Sequence, residues 1–476
     1  MSFLAYDMTF LGIFVIFLGI FLYVKRKNLK REGILLLYKT SWGIKLIHRV
    51  GEKHQNFLKY LGYVSIAVGY LLTAGVIYLV GRIVWIYVFN ASFVRAVKIP
   101  PVMPLVPYIN KIVPNLGLPP FYFTYWIIII AVVAVFHEFA HGIFAARSKV
   151  KIRSTGFGFF PFFLPIFLAA FVEPDEKQIQ KKKISEQLAV LSGGTFANLI
   201  TAIVAFGLLV GFFFLVFVPS GVSFVTYPSA YVTTPSIIAV GNQSFVNPSY
   251  QQVLDSMNSK GLNEIKARGG DFLATKNLIE AQNKTPKILK MYYDAPAIKA
   301  NLQGIITSID GQRITNYDKL GNVLHEYSPG QTITVTTLLN SSVEKNNTIV
   351  LGENPGNSSE AFLGVAFSEQ GSNGVLGKLY TILSSFKGSD IYYTSRIGDL
   401  GIFIYNLLWW LAIIAVSVAL INMLPMGIFD GGRFFYLTIL GITKKEKVAK
   451  WAYKAMTYLF LAALVVVMAF WIFYIR

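Results

Sequence analysis

The chain has no cysteine. Disulfides and thiolate metal sites are excluded, so any metal must be held by nitrogen and oxygen. Charge is also scarce: 14% of the 476 residues are charged, against 54% hydrophobic and 15% aromatic. Soluble globular domains carry about a quarter charged residues, so this balance excludes one large soluble domain and fits a polytopic membrane protein. Acid is short relative to base, with 24 Asp/Glu against 43 Lys/Arg. The excess is uneven. Segment 219–399 holds 14 of each, which leaves 29 basic against 10 acidic residues elsewhere. A neutral segment and basic loops beside apolar stretches argue against a nucleic-acid surface and follow the positive-inside bias. Histidine is rare as well, 5 residues in all.

Apolar stretches of spanning length occur at about 8–24, 60–81, 122–145, 187–218, 402–424 and 451–474. The first lacks a basic n-region and a small-residue cleavage site, so it reads as a span and not a cleaved signal. Loop 25–59 carries ten Lys/Arg and two acids, which predicts a cytoplasmic loop and an N-terminus outside. The third span then runs inward and ends near the cytoplasmic side. Segment 154–172 is apolar but contains Gly156, Gly158, Pro161 and Pro165, a poor helix. Its Phe-rich, β-prone character predicts a re-entrant hairpin or loop. With that segment returning to its own side, 219–399 lies outside the cell membrane, and all six Asn-X-Ser/Thr sequons (Asn90, Asn242, Asn283, Asn340, Asn346 and Asn357) fall in outer segments.

The expected fold is a polytopic α-helical membrane protein. It has about six transmembrane helices plus a re-entrant β-hairpin or loop, and an inserted α+β extracytoplasmic domain. The divisions are 1–120, two spans with a basic loop; 121–218, the first part of a catalytic core; 219–399, the outer domain; 400–445, the second part of the core; and 446–476, a last span. Within the outer domain, Asp294–Leu302 reads as a loop and short helix and Gly304–Ile314 as strand, Asp-Gly turn and strand. Residues 317–326 read as a helix and Thr332–Leu338 as an alternating strand. This order over about 291–367 resembles a PDZ module of the protease-associated type. Residues 229–290 give weaker signals and no nameable fold. Residues 340–360, rich in Asn, Ser and Gly, read as an exposed loop.

Two of the five histidines fall four apart in the third span, as His137-Glu138-Phe139-Ala140-His141. On a helix i and i+4 share a face, so both imidazoles can hold one metal ion. Glu138 lies about 100° around the helix and can act on a water as general base. Lipid offers ionisable groups no solvation, which makes polar residues at this depth functional candidates. Catalytic zinc takes three protein ligands and keeps one position open. Asp430 is the best third ligand. Pro425 and Gly427 break the helix that ends the fifth span, and Asp430 is the only acid between Asp399 and Glu446.

With His137-Glu138-x-x-His141, Asn422-x-x-Pro425-x-x-x-x-Asp430-Gly431 and Gly194-Thr195-Phe196-Ala197-Asn198, the chain resembles the site-2 protease family of intramembrane zinc metalloproteases. Phe171-Val172-Glu173-Pro174 resembles the family's membrane hairpin. The family's Gly-x-x-x-Asn element often has Gly-Pro where this chain has Gly-Thr. The resemblance covers roughly 121–218 and 402–440. It implies one Zn2+ per chain on His137, His141 and Asp430, with Glu138 activating water. It also implies that Asn198 and Asn422 hold the substrate backbone or stabilise the developing oxyanion. Gly193 and Gly194 read as close helix packing. The implied activity is cleavage of a transmembrane segment of a membrane-anchored protein, after a site-1-type protease has made a first cut outside. The lipid bilayer is the medium, no nucleic acid is involved, and the outer domain would act as a size filter.

Two other readings remain open in the residues. Membrane zincins of the prenyl-protein or stress-protease type share HExxH but use a downstream glutamate ligand, and no glutamate motif here fits. A non-enzymatic scaffold with a peptide-binding PDZ-like part would be free to lose Glu138 and the histidines, yet all three are present.

Overall fold

The computed structural model describes residues 3–32, 35–97, 100–101, 105–112, 118–159, 168–339, 343–367, 385–388 and 390–475. The chain divides into two compact units, one made of 1–213 with 402–476 and the other of 214–401.

The first unit opens with α1 (Phe3–Val24), strands β1 (Leu29–Glu32) and β2 (Leu35–Thr40), α2 (Ile44–Lys53) and α3 (Gln55–Phe89). Short helices α4 (Ala91–Val97) and α5 (Ile109–Ile112) precede α6 (Phe123–Arg147). Strands β3 (Ile152–Phe159) and β4 (Leu168–Pro174) follow, then α7 (Glu176–Gln180) and α8 (Ile184–Val216).

Segment 25–59 therefore holds strands and a helix where charge alone suggested a loop. The apolar run Leu35–Tyr38 pairs with β3, and the sheet runs in the order β1-β2-β3-β4. Residues 160–167, at the tip of the expected re-entrant segment, lie outside the described residues. Their flanks β3 and β4 are antiparallel, with Ile152 opposite Pro174 and Phe159 opposite Leu168. The described part of 154–172 is strand, not helix.

The second unit begins with β5 (Phe217–Ser223), β6 (Ser229–Thr233), β7 (Ile237–Val240), β8 (Gln243–Ser244) and α9 (Tyr250–Asp255). Strands β9 (Asn263–Ala267) and β10 (Gly270–Ala274), α10 (Lys276–Glu280) and β11 (Ile288–Tyr293) complete a six-stranded sheet of order β6-β11-β10-β9-β7-β8. Its core includes Ile237, Val253, Ile265, Phe272 and Leu289. This is the segment whose sequence suggested no fold.

Next come α11 (Pro296–Lys299), β12 (Ile305–Ile309), β13 (Gln312–Arg313), α12 (Tyr317–Leu324), β14 (Thr332–Leu339) and β15 (Val343–Val350). Strands β16 (Gly352–Asn354), β17 (Asn357–Phe362) and β18 (Ile391–Ser395) end the unit. A second sheet runs β15-β14-β12-β5-β18 over a core that includes Ile306, Ile309, Val323, Ile333 and Val335. The expected loop 340–360 is corrected here, since most of its described residues are strand. β15 pairs with β14 from Val343 opposite Leu339 to Val350 opposite Thr332. Its polar residues face outward except Asn347, which is buried and donates to the Val335 carbonyl.

The chain then returns to the first unit with α13 (Asp399–Asn422), α14 (Asp430–Thr443) and α15 (Glu446–Ile475). Among the described residues six helices, α1, α3, α6, α8, α13 and α15, are long and apolar enough to cross a membrane. α3 and α8, at 35 and 33 residues, exceed the roughly 20 that a bilayer needs. Helix α6, with 33% of its apolar window buried, is the most enclosed of the six.

Two features fix α6. Asp7 on α1 is buried and accepts from the Phe123 and Thr124 backbone N–H groups at 2.9 Å, and from the Tyr108 and Thr124 hydroxyls. A carboxylate from another helix thus caps the N-terminus of α6 and complements its dipole. At the other end α2 lies close, where a side chain on Gly51 would collide with the Ala146 side chain and the Ile143 carbonyl. Helix α3 meets α8 through small residues: Ser65 and Ser192 share a 3.0 Å hydrogen bond, and Gly62 lies against Ala189.

Candidate metal centre

His137 and His141 stand one turn apart on α6 and share a face. Asp430 reaches the same point from the start of α14. The backbone that brings it there depends on Gly431 and Gly432. A Cβ at Gly431 would collide with the Met423 backbone, and one at Gly432 with the Met426 carbonyl. Pro425 and the glycines therefore do more than end a helix; they let the first turn of α14 fold back onto the end of α13.

The three side chains present His137 Nε2, His141 Nε2 and Asp430 Oδ2. The two nitrogens lie 3.0 Å apart, and each is 3.3 Å from the carboxylate oxygen. Among the described residues these two histidines and one aspartate form a group able to share one metal ion. Ligands at 2.0–2.1 Å in tetrahedral array stand roughly 3.3 Å apart, so the donor set fits zinc in both chemistry and spacing. A further fit comes from α8, where a Cβ on Gly194 would collide with His141 Nε2 and come within 2.8 Å of His137 Nε2. Gly194 leaves room for whatever the histidines hold. The packing reading of Gly193 and Gly194 thus divides, because a side chain on Gly193 would collide with the Phe144 ring.

The remaining ring nitrogens are also engaged by α8. His141 Nδ1 lies 2.7 Å from the Val190 carbonyl, and His137 Nδ1 lies 3.0 Å from the Asn198 amide. Asn198 is fully buried. Glu138 Oε2 accepts the Val172 N–H of β4 at 2.9 Å. The sheet is thereby tied to the acid beside the two histidines.

A cavity of about 210 Å³ opens at the site, lined by His137, Glu138, His141, Asp430, Val172 and Gln187 among others. At its rim Arg433 and Glu176 form a two-pronged ion pair at 2.9 and 3.1 Å. Next to it, Glu173 accepts from Ser154 and Lys39, and these bonds hold its carboxyl below the usual range. Asn198 and Asn422 are not among the cavity-lining residues. Asn422 is the half-buried last residue of α13.

The sequence reading had no role for Val172, Val190, Glu176 or Arg433. Arg433 had a local signal, since it follows Asp430 by one helical turn. The Val172 contact had none, because it depends on β4 meeting α6.

A multi-pass α-helical protein with an HExxH pair and a distant aspartate on one metal-sized point belongs to the class of membrane metallopeptidases. Comparison with known families bears this out: residues 125–466 match peptidase family M50, and the chain belongs to that family, the site-2 protease family. No curated protein matches the chain.

Proposed function

We propose that this protein is an intramembrane zinc endopeptidase that cuts the transmembrane segment of a membrane-anchored protein. The observation that carries this reading is the convergence of His137, His141 and Asp430 on one point with Glu138 beside it. His137 and His141 through Nε2, and Asp430 through Oδ2, would hold Zn2+. The metal, when bound, supplies Lewis acidity to polarise a peptide carbonyl and to acidify a water. Glu138 takes the proton of the attacking water and returns it to the departing amine. Its bond from Val172 N–H fixes the carboxylate without neutralising it.

Charge bias in 25–59 supports an N-terminus and an inserted domain outside, with the active site near the cytoplasmic side. The pairing of β3 with β4 supports a segment that dips and returns. Its ends, Ile152 and Pro174, lie side by side, which supports a reading in which α8 runs outward and α13 inward. That parity is consistent with Asp430 reaching the histidines. Segments 121–218 and 400–445 then form the two halves of the catalytic core. The strand, turn, helix and strand order over 291–367, around one core, supports a PDZ-like module.

The substrate class follows from the medium: the site lies among apolar spans, and regulated release of a tethered factor after a first outer cut is the role this suits. The test uses purified protein and a single-span model substrate. Glu138→Gln should keep full zinc content while cleavage falls by about 10²–10⁴-fold, the usual contribution of a general base. Cleavage near the wild-type rate would remove Glu138 from the reaction.

A further inference from the structure

His137 has two ring nitrogens, and only Nε2 faces Asp430 and His141. A neutral imidazole that gives its Nε2 lone pair to a metal keeps its proton on Nδ1. That buried N–H needs an acceptor, and the group within reach is the Asn198 amide at 3.0 Å. With the amide nitrogen turned toward Nδ1, the proton must sit on Nε2, where it blocks the metal position. The same orientation leaves Asn198 Oδ1 buried with no hydrogen-bond partner. Amide oxygen and nitrogen are told apart only by the bonds they make. A half-turn sets Oδ1 against Nδ1–H and frees Nε2, and it moves the amide N–H groups to where Oδ1 now lies.

We infer that Asn198 is a positioning residue for the metal ligand His137, accepting its Nδ1–H and fixing the tautomer that presents Nε2 to the metal. The spacing along α8 supports this role. Val190, Gly194 and Asn198 follow at i, i+4 and i+8 on one stripe of the helix. The first gives His141 Nδ1 a backbone carbonyl, the second leaves space beside both Nε2 atoms, and the third serves His137 Nδ1. The backbone already supplies the acceptor for one histidine, so a side chain is needed only for the other. Full burial and a position off the cavity lining set Asn198 behind the ligand.

The inference rests on the zinc reading above, and the test separates the two. Zinc affinity of the full-length protein in detergent is measured by competition with a chromophoric chelator, with thermal unfolding of the metal-free protein followed in parallel. Asn198→Ala should bind zinc about 10–100-fold more weakly, the usual cost of losing the partner of a ligating histidine. Asn198→Asp keeps the acceptor and should hold wild-type affinity. If Asn198→Ala unfolds, the aspartate variant alone decides. Wild-type affinity in a folded Asn198→Ala protein, or an Asn198→Asp protein that binds zinc about 10-fold or more weakly than wild type, overturns the assignment. A wild-type protein that binds no zinc overturns the zinc reading as well.

Discussion

The inserted unit and the middle of α8 in the membrane unit bury different kinds of residue. In the inserted unit, strands alternate in the ordinary way. β9 buries Asn263, Ile265 and Ala267 and exposes Glu264 and Lys266, and two cores of Ile, Val, Leu and Phe result. Along the middle of α8 in the membrane unit, Ile200, Ile203, Val204 and Leu208 are exposed while Ser192, Gly193, Gly194, Thr195 and Asn198 are buried; elsewhere that unit buries large side chains such as Phe121, Phe123, Tyr125 and Ile129. Lipid is as apolar as leucine, so helix association there depends on close approach and on polar contacts. The same substitution should therefore have different consequences in the two units. A lost methyl is costly in the apolar cores of the inserted unit, whereas a gained methyl or a lost polar atom is costly along the buried stripe of α8.

The largest effect is expected at Asp430. Asp430→Ala removes the proposed charged third ligand, and both zinc content and cleavage should fall to background. Metal analysis of the purified variant checks this. Stoichiometric zinc would mean that the third ligand lies elsewhere.

A smaller but sharper test adds one carbon. Gly194→Ala places a methyl against both Nε2 atoms, whereas Gly207→Ala, on the same helix, meets nothing within 4 Å. Zinc occupancy should drop by roughly tenfold or more in the first, in line with the loss seen when ligand geometry is disturbed, and stay unchanged in the second. Equal zinc in both variants would show that the approach of α8 to the histidines is not what shapes the site.

The local part of this site was legible in the sequence. His137, Glu138 and His141 share a helix, and the break at Pro425 and Gly427 points to Asp430, because these signals lie within a turn or two of each other. Contacts across elements were not legible. Glu138 meets the Val172 N–H only because β4 folds back beside α6, and Lys39 pairs with Glu173 only because β2 joins β3. Both depend on sheet pairing between residues far apart in the chain, which no short window contains. Residues 340–360 misled for a different reason. β15 exposes most of its side chains, so its composition is that of a loop while its backbone is fully paired with β14.

The smallest effect on the metal is expected from the largest change. All the donor atoms, and the α8 stripe behind them, belong to 1–213 and 402–476, and the inserted unit has its own cores. A unit that buries its own apolar surface can be removed without unfolding what remains, provided its ends stay together. Here the ends are joined by β5 and β18, with Ser395 opposite Phe217 and Ile391 opposite Val222. Replacing 225–390 with a short Gly/Ser linker keeps both strands. Zinc affinity should then equal that of the full chain, and the variant should cleave untrimmed substrate that the full chain rejects. Zinc binding weakened as much as in Gly194→Ala would show that the inserted unit supports the metal centre. Unchanged zinc with unchanged rejection would move substrate selection out of the inserted unit and into the spans.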